Sequence, residues 1–206
     1  MSIVKLNNNG VKNATAFGSI TGLGNLILIK TQTASGSASI SFVDGASSVV
    51  LDNTYKEYIF TFNNMHPATD GANLTFNLST DGGSNYNVTK TTTAFNAYHG
   101  ESGSPAGLGY DTGDDLAQST NYQTIATAIG SDDDQNTSGY LHLFDPSNDT
   151  FVKHFIAKSN VSNLNDRSVN CLTAGYGNTT SAINAVDFKM SSGNIDAGTI
   201  SLYGVV

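Results

Sequence analysis

Apolar and polar residues alternate through most of this chain. Residues 37–43 show it most cleanly: Ala38, Ile40 and Phe42 fall on one side, Ser37, Ser39 and Ser41 on the other. A period of two puts every second side chain on one face of a strand, so this segment predicts a half-buried β-strand. Residues 26–33 predict a strand before it, with a turn at Ala34-Ser35-Gly36 between the two. Residues 55–65 predict a long strand with Tyr58, Phe60 and Phe62 on one face, ended by the segment 66–71 around Pro67 and Gly71. Leu74, Phe76 and Leu78 alternate with Thr75 and Asn77, and a Thr-rich strand follows over 86–98. Residues 122–129 fit a strand better than a helix. Further strands are predicted over 169–176, over 183–190 with Val186 and Phe188 in register, and over 198–206.

Residues 139–159 form the centre of this pattern. Two runs, 140–144 and 151–157, flank Asp145-Pro146-Ser147-Asn148-Asp149. Proline fixes φ there, and the Asp and Asn side chains bond back to nearby backbone, so the link is a turn and the runs form a hairpin. Leu141 and Leu143 share one face; Tyr140, His142 and Phe144 share the other. Two partly apolar faces suit a central strand.

Ten or more short strands, with no alternation of strands and long helical segments, predict an all-β chain. The natural packing is an antiparallel β-sandwich of jelly-roll type. Residues 1–24 are rich in Asn, Gly and Ala without periodicity, apart from a brief strand signal at 3–6. We read residues 1–35 as an extended N-terminal arm for attachment and residues 36–206 as the sandwich domain. Residues 99–121 form the largest irregular stretch, with one helical turn conceivable over 114–118; 131–138 read as an acidic turn and 161–166 as a loop. Loops this long in a compact domain usually face a partner.

Composition narrows the function more than it identifies it. Only 13% of the 206 residues are charged, yet the net charge is −8. With nine Lys and Arg there is no electrostatic footprint for nucleic acid or an anionic membrane. The first residues lack the apolar run of a secretory signal, and the longest uncharged apolar run, 26–29, is far too short to span a bilayer. The single Cys171 reads as a small strand-buried hydrophobe.

Catalytic signatures are missing. Gly100-Glu101-Ser102-Gly103-Ser104 has Ser where a nucleophile elbow needs its second Gly, and Gly22-Leu23-Gly24 lacks the rest of a dinucleotide turn. His142 and His154 lie on facing hairpin strands, but two histidines alone do not complete a metal site. Asp111, Asp114 and Asp115, and Asp132-Asp133-Asp134, invite a calcium reading, although neither stretch has the spacing of an EF-hand. No catalytic residue, cofactor or metal is assigned. Exposed Tyr, Asn and Thr could stack on and hydrogen-bond to a glycan. The candidate contact residues for a partner or glycan are Tyr98, His99, Glu101, Tyr110 and Asp111.

Several segments in order carry a likeness: residues 33–43 (TASGSASISFV), 62–70 around HPATD, 141–155 (LHLFDPSNDTFVKHF), Ala174-Gly175-Tyr176 with 178–182, and 189–204 (KMSSGNIDAGTISLYG). Together the chain resembles small virion structural proteins of marine tailed bacteriophages, of the capsid-decoration or tail-appendage type. That resemblance implies a non-enzymatic structural component on the virion surface, made in the host cytoplasm and released by lysis. It implies contacts with other virion proteins through the N-terminal arm and a homo-oligomer, a trimer or lattice. The alternative is a host-glycan-binding adhesin module of a phage fibre.

Overall fold

The computed structural model describes residues 26–206. Those residues form twelve β-strands and no helix: β1 (Leu26–Ser37), β2 (Ile40–Val43), β3 (Glu57–Pro67), β4 (Ala72–Ser79), β5 (Lys90–Gly100), β6 (Ala106–Tyr110), β7 (Gln123–Ile129), β8 (Thr137–Phe144), β9 (Lys153–Asn163), β10 (Arg167–Gly177), β11 (Ala185–Met190) and β12 (Ile195–Val205). Every pairing is antiparallel. The sheet runs β1-β12-β3-β8-β9-β7-β4-β11-β2, and β9 also starts a branch, β10-β5-β6. The two ends of the path, β1 and β2, are joined by a tight turn, where the Gln32 side chain donates to the Ser41 carbonyl at 2.7 Å. The sheet is thus nearly closed into a barrel.

Alternation explains the core. Tyr58, Phe60 and Phe62 of β3 are fully buried, as are Leu74, Phe76 and Leu78 of β4 and Leu141 and Leu143 of β8. Curling brings distant strands together inside. Phe60 of β3 meets Phe42 of β2 edge-on at 5.3 Å and Phe188 of β11 at 5.4 Å. Phe76 of β4 meets Phe155 of β9 at 4.9 Å, again edge-on. Such geometries suit the ring quadrupoles, and the strands that share no backbone bonds are held by these rings. Cys171 of β10 is buried in the same core, and burial pushes its thiol pKa up.

The hairpin over β8 and β9 forms as expected, with Leu141 opposite Ala157 and Leu143 opposite Phe155. Some boundaries move. Ala34-Ser35-Gly36 is not a turn: β1 continues to Ser37, with Ala34 opposite Gly198, and the chain reverses at Ala38 and Ser39. Residues 26–35, assigned to the arm, therefore lie along β12; the rest of that segment lies outside the described residues. β3 runs through Pro67 rather than ending before His66; Pro67 pairs with Ile195 beside a register shift, an irregularity at which a strand tolerates a missing N–H. β5 begins at Lys90 rather than residue 86, and β9 extends through Asn163 into the segment read as a loop.

The irregular stretch 99–121 contains β6, which makes a hairpin with β5. No helical turn forms over 114–118. Instead the chain runs back along β5: Lys90 and Ser119 exchange backbone hydrogen bonds at 2.8 and 3.0 Å, and Thr92 N–H donates to Leu116 O at 2.8 Å. Buried Gln123 anchors this return, accepting from Thr92 Oγ1 at 2.6 Å and donating to Asp114 O at 2.6 Å.

Candidate functional site

Three of the five candidate contact residues converge on one cleft of about 270 Å³. Tyr98 lies in β5, Tyr110 ends β6 and Asp111 follows it; Asn96, Thr127, Asn163 and Arg167 complete much of the wall. The β5–β6 hairpin builds this side of the cleft, because cross-strand pairs share a face and Asn96 and Tyr98 sit opposite Gly109 and Gly107. A Cβ at Gly107 would lie 2.8 Å from the Tyr98 ring, so the missing side chain is what lets that ring lie across β6. The Arg167 guanidinium stands over the Tyr98 ring, 5.5 Å from its centroid, within cation–π range. Tyr98 therefore seats Arg167 rather than offering a free stacking surface. Tyr110 is half exposed and donates its hydroxyl to Asp115 at 2.6 Å, which raises the Tyr110 pKa.

His99 and Glu101 do not reach this cleft. They line a neighbouring one of about 230 Å³ with Asn160, Ser162 and Ser168, and Arg167 borders both. Glu101 N–H donates to Asp166 O at 3.0 Å, which docks the β5–β6 turn against the β9–β10 turn.

Arg167 is the residue that the sequence reading did not single out. It is the one arginine in a chain of net charge −8. Among the described residues no carboxylate pairs with it, and residues 1–25 contain no Asp or Glu. Its Nε–H is buried without an acceptor. Asp111 also lines the cleft, but its carboxylate is spent on Asn96 Nδ2 at 2.7 Å and Gly113 N–H at 3.0 Å. The signal available in the sequence was the rarity of arginine in so acidic a chain.

The metal readings find no centre. His142 bonds through Nδ1 to Glu57 Oε1, while His154 meets Tyr176 edge-on at 6.0 Å. Asp111 and Asp115 are held by separate partners, and burial together with the Asp111 charge raises the pKa of Asp114. Asp132, Asp133 and Asp134 are exposed. Among the described residues no three His, Cys, Asp or Glu side chains converge as ligands, and no helix is long and apolar enough to cross a membrane.

Comparison of the chain with family models, with curated proteins and with solved structures finds no match. The likeness to phage virion proteins rests on the sequence segments quoted for it.

Proposed function

We propose that this chain is a non-enzymatic structural component displayed on the surface of a bacteriophage particle, as capsid decoration or a tail appendage. The observation that supports it best is an apolar trough on the outside of the sheet. Phe144, Ile156, Tyr176 and Thr91 line a depression of about 490 Å³, which continues past His154 to a second of about 500 Å³ beside Phe151. Phe151 is 69% exposed and Ile156 43%. Exposed apolar surface of this kind is characteristic of protein contacts. In this reading the jelly-roll-like body holds its loops outward, residues preceding β1 reach a neighbouring subunit, and a trimer or lattice multiplies weak contacts into lasting attachment.

Removing residues 1–24 leaves β1 whole. The truncated protein is expected to keep the β-sheet circular dichroism of the full chain and to lose particle association in a co-sedimentation assay. Truncated protein that still joins particles at full occupancy contradicts the attachment role. Imaging of particles carrying labelled protein separates head from tail, and finding it on neither ends the virion reading.

One observation favours a second reading, the glycan-binding adhesin. Arg167 offers an unpaired, planar set of donors at the border of the two clefts. An arginine fork matches a carboxylate. The ligand class is thus an acidic sugar, a uronate. Titration calorimetry with an oligouronate is expected to show saturable binding weakened at least about tenfold by Arg167→Ala, whereas a neutral oligoglucose shows none. Equal binding of both sugars, or no effect of the substitution, removes this reading.

A further inference from the structure

We propose that β6 is a self-pairing edge through which two copies of this chain join antiparallel about a two-fold axis. The proposal rests on the homo-oligomer part of the structural reading and supplies a two-fold contact for a lattice rather than for a trimer, yet the contact is a property of the chain whether or not a virion is its destination.

The backbone sets the argument. Pro105 O accepts from Gly100 N–H and Asp111 N–H donates to Ala94 O, both at 2.8 Å. Hydrogen-bonding direction alternates along a strand, so Gly107 and Gly109 also turn their backbone groups toward β5. Ala106, Leu108 and Tyr110 then turn theirs away, and β6 has no second strand partner among the described residues. An edge of this kind is normally blunted by a lysine, a bulge or a covering segment. Here residues 102–110 carry no charged residue, and β6 pairs with β5 without a bulge.

Side chains support the same contact. Leu108 is 76% exposed and Tyr110 54%. They share the outer face with Phe95 of β5, which sits opposite Tyr110 and is 39% exposed. This apolar group stands directly beside the unpaired edge.

A second copy is the occupant that fits. Placing the two-fold axis at Leu108 sets Leu108 opposite its own counterpart and Ala106 opposite Tyr110 of the other copy, in both directions. All three pairs then fall in the hydrogen-bonded register, so each outward N–H and C=O finds a partner. The apolar outer face continues across the junction, with two Leu108 side chains side by side. Two chains of net charge −8 repel, and an uncharged edge is where they approach at the least electrostatic cost. Such an interface is isologous and closed, and it makes one continuous sheet from two bodies.

The test uses full-length protein. Sedimentation equilibrium is expected to show a monomer–dimer equilibrium, with Leu108→Asp raising the dissociation constant at least about tenfold by setting two carboxylates against each other. Leu108→Cys is expected to cross-link to itself under mild oxidation or with a short bifunctional thiol reagent. Opposed Cα atoms in such a pair stand about 5.5 Å apart, within the range of a disulfide. The native Cys171 is buried and does not compete. Ser192→Cys, exposed in the turn between β11 and β12 and away from β6, serves as the control. A wild-type protein that stays monomeric at its highest workable concentration overturns the proposal. So does a dimer unaffected by Leu108→Asp, or cross-linking of Leu108→Cys no faster than that of Ser192→Cys. Dimerisation in solution combined with absence from particles would leave the edge contact standing and remove the virion reading.

Discussion

Phe188→Ala is expected to cost about 4 kcal/mol of folding stability, the largest effect of any single truncation in the core. Phe188 is fully buried in β11, where its backbone neighbours are Phe76 on one side and Ile40 on the other. Its ring also meets Phe60 of β3 at 5.4 Å and Phe42 of β2 at 6.4 Å. It is therefore the common contact between strands that lie far apart along the sheet. Removing it forfeits the burial of a large side chain and leaves a hole ringed by three other phenylalanines, which cannot collapse without moving three strands. In a chain of this size the loss lowers the thermal midpoint by roughly 10 °C. Denaturant melts monitored by tyrosine fluorescence check it, with Phe151→Ala, 69% exposed, expected to lie within about 0.5 kcal/mol of the parent. A loss below about 1.5 kcal/mol for Phe188→Ala would mean that the ring cluster is not what holds the opposed strands of the sheet together.

Stability is expected to climb with pH above neutrality, and Lys90 is the main cause. The side chain is fully buried, and desolvation lowers its pKa to about 7 from the usual 10.5. Its Nζ donates to Asn77 Oδ1 and to Val88 O at 2.8 Å, which tempers the cost of burial without supplying a negative charge. Between pH 7 and 10.5 the unfolded chain holds a proton that the folded chain has released, so unfolding takes up a proton and the folded state gains stability as pH rises. At one proton per unfolding event the gain is about 3 kcal/mol between pH 7 and pH 9.5. Lys153, the other fully buried lysine, sits in the same cross-strand row, with Gly177 between it and Lys90; its pKa is also lowered by burial, so it adds in the same direction. Above pH 10 the tyrosines oppose this, because burial raises Tyr58 to about 12 and its ionisation then favours the unfolded chain. Lys90→Met is expected to flatten the rise by most of that 3 kcal/mol in urea melts taken at half-unit steps of pH. An unchanged slope in the variant would remove Lys90 as its source.

The strands that the sequence made legible carry apolar residues on one face and polar residues on the other. Tyr58, Phe60 and Phe62, and Leu74, Phe76 and Leu78, became strands with those residues inside, although in β4 the polar face of Thr75, Asn77 and Ser79 is buried too. β6 was hidden because Ala-Gly-Leu-Gly-Tyr has the composition of a loop; its pairing comes from β5, and Gly107 makes room for the Tyr98 ring. The end of β1 was missed for a similar reason, since Ala34-Ser35-Gly36-Ser37 carries turn residues while β12 supplies the hydrogen bonds. Tertiary pairing overrode local preference in both places. For the cleft, Tyr110 and Asp111 were named from the long irregular stretch and Tyr98 from the end of the strand before it, and all three line one cavity. His99 and Glu101 were separated from them by the pleat and the turn. Arg167 was passed over because nothing local marks it; its meaning comes from Gly100 and Asn163 lying across from it in the sheet.

The place of β12 bears on how the chain acquires its shape. Last of the twelve strands in order, it lies between β1 and β3, two of the earliest. During synthesis this flank of β1 waits for β12 until the ten strands between them have emerged, and those segments can find one another first. Loop-closure entropy over such separations is paid before the contacts return it, so folding is slow and the waiting flank is open to mispairing. A ribosome that stalls before residue 195 therefore releases a product whose first strand has lost its principal neighbour.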